Sequence, residues 1–114
     1  MTMRDVNTRF CVPIEVMEKY EAWGFGSGDY TNRDLDQLSL MLTLQDIGFQ
    51  LGQIEQYMRL MNTENSGPQR LIMLNTKRRE MLDQIHLKEK QLDRLDFLRY
   101  EITGPAPKKG RKSR

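Results

Sequence analysis

The 114-residue chain reads as an all-α protein: a helical head over residues 1–61, one long C-terminal coiled-coil dimerisation helix over 69–102, and a basic tail over 103–114. Three observations predict this. Apolar residues recur at spacings of three and four rather than two, clusters of glycine and proline punctuate the chain, and residues 69–102 contain neither breaker. Charged residues make up 30% of the chain and hydrophobic ones 38%, with a mean hydropathy of -0.70, so solvated helices fit better than a thick globule.

In the head, a short stretch from Met3 to Arg9 precedes a better helix beginning near Pro13. Ile14, Met17, Tyr20 and Trp23 trace one face before Gly24 stops it, and proline suits a first helical turn. Two short helices joined by Phe10, Cys11 and Val12 give a helix-turn-helix outline, which an ordinary helical hairpin shares. Three glycines among residues 24–28 then require a loop. Thr31 or Asn32 caps the next helix, with Asp34 in its first turn. Leu35, Leu38, Leu42 and Ile47 set its face, and Gly48 is its C-cap. A further helix over 50–61 carries Leu51, Ile54, Tyr57, Met58 and Met61, and the polar stretch 62–68, containing Gly67 and Pro68, closes the head.

The third segment would make a helix about 50 Å long at about 1.5 Å per residue. Leu71, Leu74, Arg78, Met81, Ile85, Lys88, Leu92, Leu95, Arg99 and Ile102 alternate spacings of three and four, a heptad seam that Leu82 and Leu98 broaden. Leu71, Leu74, Met81, Ile85, Leu92, Leu95 and Ile102 are the dimerisation residues. No second helix of comparable length is offered, so the expected partner is another copy of the chain.

The formal net charge of +2 conceals a segregation. Residues 1–61 hold 5 Lys/Arg against 9 Asp/Glu, whereas 62–114 hold 13 against 7. Much of the positive charge lies in the tail, through Lys108, Lys109, Arg111, Lys112 and Arg114, a segment too poor in apolar residues to be expected to fold. A nucleic-acid binder concentrates cations where it meets phosphate, so the charge pattern by itself argues for the tail rather than the head.

Several function classes are excluded. No apolar run spans a bilayer, and the first residues lack a signal peptide's apolar core, so a cytoplasmic protein without membrane contact is expected. With one cysteine and one histidine, no transition-metal site can be drawn within the chain, and no cofactor is implied. Cys11 is expected as a small buried apolar side chain and His86 as a helix-surface residue. Glu15, Glu18, Glu21, Asp34 and Asp36 sit among ordinary amphipathic-helix residues, so no catalytic pair is marked and no enzyme is expected.

The order of helix-turn-helix, glycine turn, helix pair and long helix resembles the MerR family of bacterial transcriptional regulators. Tyr30, Thr31, Asn32, Arg33, Asp34 and Leu35 look like that family's Tyr-Ser-x-x-Asp-Leu helix start, and Gly48 through Ile54 look like its Leu-Gly-Phe-x-Leu-x-x-Ile element. Val12, Met17, Tyr20, Glu21 and Gly24 can be laid on its Val-Ser-x-x-Thr-Leu-Arg-Tyr-Tyr-Glu-x-x-Gly pattern. The resemblance covers about 100 residues and implies a winged-helix-like head with a reduced wing, whose second helix enters the major groove of double-stranded DNA. It also implies an antiparallel coiled-coil homodimer. This chain departs from the family where Glu18, Lys19 and Tyr20 stand for Arg-Tyr-Tyr, and where the wing shrinks to residues 26–30 without a cation. No effector segment or thiol set follows the long helix.

Two functions follow. In the first, a DNA-binding regulator, Thr8, Arg9, Glu15, Lys19, Tyr20 and Arg33 face the duplex, and Lys108, Lys109, Arg111 and Lys112 add phosphate contacts. In the second, a winged-helix remnant acting as an antirepressor, a heterodimer partner or an adaptor binds a protein through exposed Trp23, Phe25 and Tyr30, although Trp23 and Phe25 are better explained by packing between helices.

Overall fold

The computed structural model describes residues 1–104, and every regular element among them is a helix. In chain order these are α1 (Met3–Phe10), α2 (Ile14–Ala22), α3 (Asn32–Ile47), α4 (Leu51–Met61) and α5 (Gly67–Thr103). Residues 1–71 form one compact unit, which takes in ten residues beyond the expected head, and the described residues from Ile72 belong to a second. The expected basic tail, with Lys108, Lys109, Arg111 and Lys112, lies outside the described residues.

Two helices of the head begin where a side chain satisfies their free first-turn amides, whereas α2 starts behind Pro13 without a side-chain cap. Thr2 and Asp5 form a reciprocal capping box on α1, and Thr31 and Asp34 form another on α3. Gly48, at φ 108°, ends α3, with its amide donating to the carbonyls of Gln45 and Leu44. At the start of α4 the Gln50 amide donates to Gln53 Oε1 at 2.9 Å. Between α1 and α2 the chain turns through Cys11 at φ 58°, while the Asn7 side-chain amide donates to the Val12 carbonyl at 2.8 Å. Cys11, the left-handed C-cap of α1 in the turn between α1 and α2, is exposed there, against the expectation of a buried apolar side chain.

The core of the head is assembled where α1 packs on α2, α2 on α3 and α3 on α4. Val6, Met17, Tyr20, Leu38, Leu44 and Met58 are its most deeply enclosed large side chains, joined by Val12, Tyr30, Met41, Phe49, Ile54 and Tyr57. Each such burial is worth about 1.5–3 kcal/mol before ordering costs. The apolar face of α3 is therefore Leu38, Met41 and Leu44, and the expected Leu35, Leu42 and Ile47 are only half-buried at its margins. Ile14, Leu51 and Met61 share the apolar stripes of their helices but sit at the ends, where neighbouring elements no longer cover them.

Gly67 and Pro68, expected to close the head outside any helix, instead open α5. Proline costs nothing in a first turn, where its missing amide has no intrahelical acceptor. The buried Ser66 hydroxyl donates to the Leu60 carbonyl, and the Ser66 carbonyl accepts from the Arg70 amide at 3.0 Å, so the turn is anchored at both ends. α5 then continues for 37 residues to Thr103, with Gly104 at φ 83° behind it. It buries none of its side chains among the described residues.

The loop between α2 and α3 holds no strand, so even a reduced wing is absent as a hairpin among the described residues. Its place is taken by a main-chain pairing in which the Tyr30 amide donates to the Met1 carbonyl at 2.6 Å and the Met1 amino group donates to the Tyr30 carbonyl at 3.1 Å. Gly26 lies flat on the Tyr20 ring, where a Cβ would come within 2.8 Å of Cε2. Gly26→Ala should therefore lower unfolding stability by about 1–3 kcal/mol. Gly52→Ala, in α4 with open space around it, should raise stability by about 0.5 kcal/mol. Urea denaturation followed by circular dichroism measures both.

Candidate nucleic-acid interface

The α1–α2 hairpin carries most of the residues expected to face a duplex, and its chemistry is set by what its two helices leave in solvent. From α1 these are Arg4, Asp5, Thr8, Arg9 and Phe10, and from α2 they are Ile14, Glu15, Glu18, Lys19 and Ala22. Four expected duplex-facing residues, Thr8, Arg9, Glu15 and Lys19, are thus exposed on one hairpin. The Arg9 guanidinium lies 5.5 Å from the centre of the Phe10 ring, a cation–π contact that leaves its outer edge in water.

Tyr20 is not a surface residue. It is 1% exposed, its ring stacked on Phe25 at 5.8 Å and on Tyr30 at 6.3 Å, and its hydroxyl donates to Asp34 Oδ1 at 2.5 Å, beside Gln37 Oε1 at 3.2 Å. A contact with DNA would cost that hydrogen bond and uncover the core, so the expectation that Tyr20 faces the duplex is corrected: it is a buried strut between α2 and α3. Arg33 is exposed but committed, with Nη2 donating to Asn62 Oδ1 at 3.0 Å, which also accepts from Gln37 Nε2 at 3.2 Å. It stands on α3, away in sequence from the hairpin, and braces the end of α4.

The aromatic cluster beneath the loop accounts for the residues offered to a protein partner. Tyr30 is buried, its hydroxyl donating to Glu21 Oε2 at 2.5 Å, so it cannot anchor a partner. Trp23 and Phe25 are half-buried and meet edge to face at 6.4 Å. Arg59 holds this cluster from α4, with its guanidinium 5.4 Å from the Phe25 ring and Nη2 at 2.6 Å from Glu55 and 3.3 Å from the Trp23 carbonyl. Sequence reading missed Arg59 as a positioning residue. Its i,i+4 pairing with Glu55 was visible, but its reach to a loop 36 residues away was not.

Electrostatically the hairpin is balanced. Arg4, Arg9 and Lys19 are matched by Asp5, Glu15 and Glu18, and the other head cations are drawn into packing: Arg33 by Asn62, Arg59 by Glu55 and Phe25, and Arg70 by Tyr57 and Ser66. The described residues do not assemble a cationic stripe of the kind phosphate recognition favours. They hold no group of three His, Cys, Asp or Glu able to bind a metal, and no helix long and apolar enough to cross a membrane.

The residues expected to form a dimer seam stand largely as an exposed row. Leu71, Met81, Ile85, Leu92, Leu95 and Ile102 are all exposed on α5, and Leu74 is half-buried. His86 is exposed on the same helix.

Comparison of this chain with protein-family models, with curated proteins and with solved structures returns no match.

The Tyr20 and Asp34 pair gives the head an acid signature. Burial pushes the Asp34 carboxyl up, but the bonds from the Tyr20 hydroxyl and from the Thr31 amide and hydroxyl outweigh it and hold the carboxyl below its ordinary 3.8. The stabilisation from this carboxylate is thus fully present above about pH 4 and fades as pH falls through the depressed folded value. Burial, with the bond to Asp34, pushes the Tyr20 hydroxyl above the ordinary tyrosine range. Tyr20→Phe should cost about 1–2 kcal/mol at neutral pH and flatten the loss of stability below pH 4. Urea midpoints across an acid pH series would check this; an unchanged slope would mean that the pair does not carry the acid sensitivity.

Proposed function

We propose that the chain is a homodimeric MerR-like bacterial transcription regulator that meets double-stranded DNA through the α1–α2 hairpin. The observation that carries this reading is the order of the elements: a tight helical hairpin, a loop where that family has its wing, a capped helix pair, and a 37-residue helix with an exposed leucine seam. Thr8, Arg9 and Lys19 would position the hairpin on phosphates, and Glu15 on α2 would face a base edge as an acceptor. Two heads joined by paired α5 helices would fix the distance between half-sites. Lys108, Lys109, Arg111 and Lys112 would add sequence-independent attraction.

A second reading, an antirepressor or adaptor that binds protein rather than DNA, draws on the charge balance of the hairpin. Glu15 and Glu18 outnumber Lys19 on the exposed face of α2. Trp23, Phe25 and Tyr30 are spent in the fold, so its surface would be that charged face and the exposed Phe10 beside it.

Fluorescence-polarisation titration separates the two. Full-length protein and a variant ending at Thr103 are measured against random duplex and duplex from upstream of the protein's own coding region, over a salt series. The DNA reading expects sequence selectivity to survive tail deletion while the slope of log K against log salt shrinks by about 0.9 for each phosphate the tail had neutralised. Binding that disappears with the tail and ignores sequence would favour the adaptor. In either case Leu92→Lys with Leu95→Lys should reduce the sedimenting mass to that of one 13.5 kDa chain, and an unchanged mass would refute the paired seam.

A further inference from the structure

The seam of α5 is interrupted by three cations, Arg78, Lys88 and Arg99, and they restrict how two copies can meet. Around them the seam leaves its apolar members, other than half-buried Leu74, between 42% (Met81) and 85% (Ile102) exposed. If two helices ran parallel and in step, each cation would face its own copy, placing three like-charge contacts in a partly desolvated seam. Antiparallel pairing is what the resemblance implies, and it relieves this in some registers but not in others.

We infer, resting on the homodimer reading above, that the second copy is antiparallel in the register that sets Arg78 level with the partner's Leu95 and Met81 level with the partner's Leu92. The same register sets Ile85 level with the partner's Lys88, and Leu74 with the partner's Arg99. Every seam cation then meets an apolar residue, over which its aliphatic stem can lie while its charge reaches water. The flanking positions agree with this register. Arg78 falls beside the partner's Asp96, a carboxylate that already lies 3.6 Å from Arg99 of its own helix. Leu92 falls beside the partner's Leu82 and Leu74 beside the partner's Leu98, which explains why Leu82 and Leu98, both exposed in the single chain, widen the stripe at those places.

Neighbouring registers do worse. A shift of one heptad in one direction sets Arg78 against the partner's Lys88. A shift in the other direction sets Arg78, Lys88 and Arg99 level with the partner's Ile102, Leu92 and Met81, but it removes a heptad of overlap and separates Arg78 from Asp96. The cations thus disfavour parallel in-step pairing and the first of these shifts, while overlap and the approach of Arg78 to the partner's Asp96 decide against the second.

Disulfide trapping tests the register in full-length protein carrying Cys11→Ser, which removes the exposed native thiol. Met81→Cys with Leu92→Cys, and separately Arg78→Cys with Leu95→Cys, are oxidised and followed on non-reducing gels, with each single variant as reference. Both pairs should form covalent dimers at least tenfold faster than their single variants. Met81→Cys alone cross-linking as fast as the pair would mean parallel pairing, and Met81→Cys with Arg99→Cys outpacing Met81→Cys with Leu92→Cys would mean the shifted register; either overturns the inference while the dimer stands. Sedimentation of the reduced proteins separates these from failure of the dimer itself: a single-chain mass for the Cys11→Ser parent would overturn both.

Discussion

A helix of 37 residues that buries no side chain, yet presents leucine and isoleucine along its length, sets the terms for the rest of the molecule. Isolated helices in water are marginal because nucleation is costly and propagation returns little per residue, so most helical stability comes from covering an apolar face. The proposed pairing of two α5 helices supplies that cover and gives the seam cations a reason to exist. It also converts a small head into one of two, which is what a symmetric DNA site would require.

The head is independent of that pairing in its construction. Its weight falls on Tyr20, whose ring fills the space under Gly26, Phe25 and Tyr30 and whose hydroxyl ties α2 to the capping carboxylate of α3. Asp34 serves two ends at once: Oδ2 closes the Thr31 box and Oδ1 receives the tyrosine. The loop is thus held by packing and main-chain pairing with Met1, with no hairpin needed, and the basic side chains nearby are consumed as struts. Arg33, Arg59 and Arg70 each bridge elements of the fold, which leaves the α1–α2 hairpin close to electrical balance. A DNA-binding role for such a surface rests on shape and on the tail's charge rather than on a cationic face.

Much of the fold was legible because its signals are local. The Thr31 cap, the Gly48 stop and the leucine spacing of α5 each follow from a few adjacent residues. What was not legible depended on distant partners. Tyr20 lay on the apolar face traced by Met17, yet alignment with a Tyr-Tyr pattern directed it outward; its burial required Asp34 and Gly26 to arrive from elsewhere. Cys11 reads as a small apolar residue, but at the C-cap of α1 it lies exposed in the turn before α2. Gly67 and Pro68 read as a break, whereas Ser66 made them a helix start. Within the candidate site, exposure of Thr8, Arg9, Glu15 and Lys19 followed from helical spacing, and the engagement of Arg33 by Asn62 did not.

The claim that α5 draws its stability from a second copy is tested most directly by hydrogen–deuterium exchange at a series of protein concentrations spanning dissociation. Amides between Met81 and Leu95 should gain protection steeply as concentration rises, while those of α2 and α3, held by their own core, stay constant. Equal protection of α5 at every concentration, in protein that sediments as a single chain, would contradict the account.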